Sequence, residues 1–304
     1  MEIWIFITII AAFLQNIRSV MQKHLKGVMG TTGATFVRFG FGVPFALLHI
    51  FILVLGFGAT LPVPGAHFFG WAGIGALTQV AGTFLLVHLF SFRNFAVGTA
   101  YSRTEPAQAA LFGLVFFGER ASGGTLLAIA LSVLGVMVIS VARLRVTLAT
   151  LVTSVFTRTA LVGILSGMAF GISTVSYRSA SLSLAPSLPE PNYIVQASYT
   201  LVYIIAVQTL SMLAWMLWKE RGEFARIAQA WKPSLVVGFM GATASFCWLM
   251  AVSLQQASVV KALGQVEMLL AFGSAVFIFR ETINRLEIAG CVLIVAGVLI
   301  LLLA

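Results

Sequence analysis

Two glutamates stand at matched places in a repeated sequence, and they are the side chains here best suited to chemistry. Residues 84–136 align without a gap on residues 246–298, an offset of 162, and twelve positions coincide. Apolar matches such as Phe84/Phe246 or Val133/Val295 are cheap in so greasy a chain. The acids are not: Glu105 and Glu119, the only two in the first window, fall on Glu267 and Glu281 in the second. With nine Glu in 304 residues, chance would do this on the order of once in a thousand. Glu105 and Glu267 each lie inside a long apolar stretch. Burial in low dielectric favours a protonated carboxyl, so such a group can hold and release a proton, or offer one site to either a proton or a solute. The alternative is permanent pairing with a cation that only locks helices together.

Four cations lie within reach of those stretches: Arg103, Lys261, Arg38 and Arg18. Arg103 is two residues from Glu105 and Lys261 six from Glu267, spacings that do not bring side chains together on one helix. Partners must come from other helices, and spacing does not assign them. Arg18 and Arg38 lie close enough to span ends to snorkel toward the headgroups. Lys261 can reach either water or a cavity, and Arg103 is too deep to serve as an anchor. Polar stripes recur at helical spacing: Gln15, Arg18 and Gln22; Gln196, Tyr199 and Tyr203; Ser173, Ser176 and Tyr177. Such stripes either line a solute path or bond neighbouring helices. With Gln265 beside Glu267, they define the expected lining of a central cavity. Glu119 and Glu281 sit at helix-start turns and are expected to be structural, as caps and dipole partners. His24, His49, His67 and His88 are scattered, with His88 expected to pack between helices. Cys247 and Cys291 read as buried free thiols. Neither HExxH, a nucleophile elbow, a Walker loop nor a metal-spaced cluster occurs, so no enzyme, metal or cofactor is expected.

The elements that must position these residues are membrane helices. Sixty per cent of the residues are hydrophobic and nine per cent charged, Asp is absent, and the mean hydropathy is +1.04. That composition excludes a soluble domain. The net charge of +9 comes from single Lys and Arg between apolar blocks, which fits membrane flanks and not nucleic acid. The first residues lack a basic region ahead of Ile3–Leu14 and read as a retained span. Ten spans of about 20 residues are expected, near 3–22, 32–55, 68–91, 96–117, 123–142, 159–181, 193–217, 234–254, 258–279 and 284–303. They form two five-helix repeats, 1–142 and 159–304, joined by a linker at 143–158. Five spans per repeat force the second copy to enter the bilayer upside down. The expected fold is all-α, two inverted repeats around a central cavity. Twelve Lys and Arg flank the odd-numbered loops, while Arg120 and Arg178 mark the even ones. Both termini are therefore expected on one side, the outer face of the cell (inner) membrane. Gly163, Gly167 and Gly171, and the matched Gly135 and Gly297, should let helices approach closely. Pro44 should kink the second span, and Trp218–Trp231 should lie at the headgroups.

Glu105–Pro106 in the fourth span, the Gly118–Glu119–Arg120 turn that closes it and Gly135 echoed by Gly297 resemble the drug/metabolite transporter superfamily. The ten-helix EamA-type branch fits best. The resemblance covers nearly the whole chain and implies a basket of ten helices that moves small organic solutes by alternating access. Such proteins export amino acids, drugs and metabolites, and some move lipid-linked sugars. Glu105 and Glu267 then fall in helices that line the cavity. Two departures stand out: Met268 replaces the proline matched to Pro106, and many relatives carry positive charge at the amino terminus. The leading expectation is a proton-coupled exporter of a small solute, acting in the bilayer as a monomer or homodimer. The alternatives are a uniporter or importer whose carboxylates meet an amine-bearing solute, and a flippase for a lipid or lipid-linked sugar.

Overall fold

The computed structural model describes residues 2–89, 91–92, 101–144, 157–277 and 284–303. Among them there is helix and no strand. In chain order the helices are α1 (Ile3–Leu25), α2 (Thr31–Gly40), α3 (Val43–Phe51, continued by a π-turn Ile52–Gly56), α4 (Ala66–Leu89), α5 (Glu105–Phe117), α6 (Gly123–Leu144) and α7 (Arg158–Ser183). Then follow α8 (Tyr193–Lys219), α9 (Glu223–Gln229), α10 (Trp231–Leu254), α11 (Ala257–Leu263), α12 (Val266–Phe277) and α13 (Arg285–Leu303). Eight of the helical stretches are long and apolar enough to cross a membrane, with α2, α3 and the π-turn counted as one. Leu, Phe and Ile crowd the exterior, as at Phe51, Leu114, Phe116, Leu210 and Leu299. In lipid that greasy surface carries no penalty, and the helices satisfy their own backbone groups.

Three expected spans are interrupted, each for a local reason. The second bends at Phe41–Gly42, and Pro44 sits in the first turn of α3, where its missing N–H is not needed. The span expected over 258–279 is two helices, α11 and α12, parted by a turn at Gly264–Gln265. The span expected over 96–117 holds a turn at Arg103–Thr104 before α5, with Pro106 again in the first helical turn; residues 93–100 lie outside the described residues. The two turns are related by the 162-residue offset of the sequence repeat, to within a residue.

Helix pairing follows the same offset. The broadest contacts are α6 with α13, α4 with α7, and α1 with α10. Exchanging each helix for its repeat equivalent turns α4–α7 into α10–α1 and returns α6–α13 to itself. Small residues make these seams. A methyl group at Gly135 would meet the Gly290 carbonyl at 2.6 Å, so α6 and α13 touch backbone to backbone. Gly167 and Gly171 likewise bring α7 against the Ser102 carbonyl and the Ala109 amide. Association in lipid rests on such close packing because no hydrophobic drive remains between helices.

Loops pair in the same way. The Gly30 amide before α2 donates to Glu223 of α9 at 2.8 Å. At the other end of α8, the Val63 amide donates to Ser187 at 3.0 Å. The first contact adds a packing role to the segment Trp218–Trp231: buried Glu223 also holds Arg226 at 2.7 Å and fixes the start of α2. A second correction concerns Glu119. The cap at the start of α6 is Ser122, which accepts from the Thr125 amide at 3.0 Å, while Glu119 pairs with Arg178 at 2.9 Å. Glu281 lies outside the described residues. Neither Cys247 nor Cys291 is in a disulfide; Cys247 is buried as expected, while Cys291 is only half-buried.

Candidate functional site

A cavity of about 70 Å³ lies between α1, α2, α4, α7, α8, α10 and the two broken stretches. That volume holds a handful of waters and is well below the ~300–1,000 Å³ of drug-sized sites. Its chemistry is dominated by charge: Arg18, Arg38, Arg103, Lys261, Glu105 and Glu267 all line it. Each such group costs about 2.5–3.5 kcal/mol to place at mid-bilayer on insertion scales, so the arrangement has to compensate.

The compensation crosses between the repeats. Arg103, from the first, makes a two-pronged bond to Glu267 of the second, at 2.9 and 3.2 Å. Lys261, from the second, reaches Glu105 of the first at 3.0 Å. Each carboxylate opens a helix after a break: Glu105 is the first residue of α5 and Glu267 the second of α12. A negative charge there meets the positive end of the helix dipole and the free amides of the first turn. The breaks thus do electrostatic work that an unbroken helix would not.

The two pairs differ in their surroundings. Glu267 is almost fully buried, with its side chain 4% exposed. It also accepts from Gln15 at 2.8 Å, and the Trp248 indole donates to the other end of that amide at 3.0 Å. Glu105 is more open at 18%, with Thr174 donating to it at 3.2 Å. Its partner Lys261 lies 4.3 Å above the Trp248 ring, a cation–π contact. Trp248 therefore touches both ion-pair systems.

Of the sequence candidates, Gln15, Arg18, Arg38, Arg103, Glu105, Tyr177, Lys261 and Glu267 meet at this cavity. Gln265 stands just behind it and donates to the Arg103 carbonyl at 3.0 Å, bridging the two turns. Snorkelling of Arg18 and Arg38 is corrected: they are 5% and 6% exposed and turn inward. Tyr199 and Tyr203 are also corrected; they pack at a steep angle against Phe68, with ring centroids 5.7 and 5.3 Å from it, and are not in the cavity lining. Gln196 is buried in α8 and is not in the lining either. Period alone put those three on one face; it could not say which helix that face meets. Trp248, Gln79, Ser102 and Thr174 are lining residues that spacing did not single out. A signal existed for two. Gln79 is a lone amide in an apolar helix, and bonds Tyr177 and Gln208 at 2.8 and 2.7 Å. Trp248 is an indole far from the span ends, where tryptophan is usual. Among the described residues, no group of three or more His, Cys, Asp or Glu stands together as a metal site.

A sequence profile of the EamA-like transporter family matches residues 2–141 and again residues 157–303. A protein crystal structure of similar fold superposes with a TM-score of 0.72, covering 99% of this chain and 96% of the other at 15% identity. No curated protein sequence matches the chain.

Proposed function

The chain belongs to the EamA-like transporter family, and from that premise we propose that it is a proton-coupled exporter of a small organic solute, working by alternating access. The observation that carries the reading is the crossed pair of ion bridges, Arg103–Glu267 and Lys261–Glu105, which line one cavity and tie the two matched segments together. Broken helices that offer their N-termini to a central site are the usual construction of secondary transporters. An inverted five-plus-five arrangement of ten spans is part of the proposal. It is supported by the exchange of α4–α7 with α10–α1, and by like loop contacts at opposite ends of α8.

On this reading, the two halves rock about the cavity and the bridges between them come apart and re-form. Glu105 is the proton carrier, because it is the more open carboxylate and its partner is a lysine on a flexible tether. Proton arrival removes the charge that holds Lys261 and frees the halves to move. Glu267 is fixed by a planar guanidinium fork and by Gln15, and serves as the static member. Export is the direction that the family resemblance implies.

The test is flux in proteoliposomes under an imposed pH gradient, using a panel of amino acids, organic acids, amines and nucleosides. Wild type should drive at least one solute against its gradient. Glu105→Gln should lose that drive yet keep solute exchange at zero gradient. Full coupling in Glu105→Gln would remove the proton assignment, and absence of flux for every solute would overturn the transport reading.

A further inference from the structure

The charges of the cavity do not balance. Four cations line it against two carboxylates, and both carboxylates are already engaged, by Arg103 and by Lys261. Arg18 and Arg38 are left over. The chain has nine acids, all glutamate, and the remaining ones are elsewhere. Glu2 bonds Trp4, Glu119 pairs with Arg178, Glu220 bonds Trp215, Glu223 pairs with Arg226, and Glu287 accepts from the Asn284 amide. Glu190 is exposed. Glu281 lies outside the described residues, and the undescribed stretch 93–100 contains no acid.

What the two arginines do have is thin. Arg18 donates to Ser19 at 3.2 Å and Arg38 to Thr83 at 2.8 Å, with the Phe39 ring centroid 5.1 Å from the Arg38 guanidinium. The Nε–H of each is buried without a partner. Both side chains are more than nine-tenths buried. Their stems converge over one glycine: a methyl at Gly241 would lie 3.2 Å from Cγ of Arg38 and 3.4 Å from Cδ of Arg18. Two guanidinium groups that line one cavity, each with a spare donor and neither bonded to a carboxylate, are a site for a planar or tetrahedral oxyanion, which such forks bind in bidentate fashion.

We propose that Arg18 and Arg38 form an anion-binding subsite, and that the transported solute carries a carboxylate or phosphate group that completes them. The proposal rests on the transport reading and narrows it. It disfavours an amine-bearing solute, which would enter a cavity with two surplus positive charges and find both carboxylates taken. The cavity size favours a compact anion over a drug-sized one.

Binding is measured by calorimetry on the purified full chain in detergent, with inorganic phosphate, glycerol 3-phosphate and succinate as probes, and putrescine as the cationic control. Phosphatidylglycerol in nanodiscs forms the lipid arm. At least one anion should bind saturably. Arg18→Gln and Arg38→Gln should each weaken it roughly tenfold or more, and Arg18→Lys and Arg38→Lys should restore part of the loss. Exposed Arg120→Gln should change nothing. Gly241→Ala, which crowds both stems without touching a charge, should also weaken binding and keeps the test decisive if the Gln variants do not fold. Arg-dependent binding of phosphatidylglycerol alone would support the subsite and assign it to a lipid headgroup. The proposal falls if no anion binds wild type, if binding ignores all these variants, or if putrescine binds more tightly than every anion. Arg-dependent anion binding with no flux of that anion under any gradient would instead overturn transport while leaving the subsite standing.

Discussion

At the scale of single residues, the two ion bridges are alike in chemistry and unlike in consequence. Removing one partner of a buried pair strands the other in low dielectric. For Glu267→Gln, the stranded group is Arg103, whose side chain is 31% exposed, so the loss should fall near the lower end of the range for buried pairs, about 3 kcal/mol. Glu105→Gln strands Lys261, which at 14% is less exposed than Arg103, but its ammonium keeps the Trp248 face as a partner and its tether can swing, and these two effects outweigh the deeper burial. Its loss should be clearly smaller. Denaturant or thermal unfolding in detergent measures both, and an equal or reversed order would show that the Glu267 site is not the static member.

At the scale of elements, close approach of helices is decided by where glycines meet backbone. Gly135→Ala places a methyl 2.6 Å from the Gly290 carbonyl. Backbone cannot move aside as a flexible side chain can, so the α6–α13 seam must part, at a cost of about 1–3 kcal/mol. Gly70→Ala in α4 meets nothing within 4 Å. It should be neutral, or stabilising by up to about 1 kcal/mol, since alanine is the better helix former. Paired thermal melts of the two variants check this. A Gly135→Ala variant as stable as wild type would show that the α6–α13 contact is looser than described. The broken helices belong to this scale too. Pro106 and Pro44 both announce helix starts, since a proline is tolerated in a first turn and not in an interior. Of the two stretches expected as continuous spans, 96–117 carries that signal in Pro106 and 258–279 carries no proline. In the second, Gly264 is only a weak breaker, and the turn is bridged to its counterpart by Gln265 donating to the Arg103 carbonyl.

At the scale of the whole molecule, the arrangement makes a topological prediction. The segment around Gly30 touches the segment around Glu223, and the segment around Val63 touches that around Ser187. Single cysteines introduced into a variant lacking Cys247 and Cys291, at Lys26 and Arg226 in one set and at Ala59 and Pro189 in the other, should label from opposite sides of the bilayer. Members of each set should share a side. Mixed labelling within a set would contradict the proposed inverted arrangement. The excess of Lys and Arg beside Lys26 and Arg226 predicts that this set is cytoplasmic.

The amino-acid sequence determined the membrane class, the two-fold repetition, the matched placing of Glu105 and Glu267 in apolar stretches and the glycine seams. These are properties of composition and period, and each is present in the chain before it folds. Tertiary structure alone decided the partners. Arg103 is near Glu105 in sequence yet bonds Glu267, and Lys261 is near Glu267 yet bonds Glu105. It also turned Arg18 and Arg38 inward and sent Tyr199 and Tyr203 against Phe68. Helical period fixes which side chains share a face. Which face looks into the cavity depends on where neighbouring helices lie, and that depends on contacts between residues far apart in the chain.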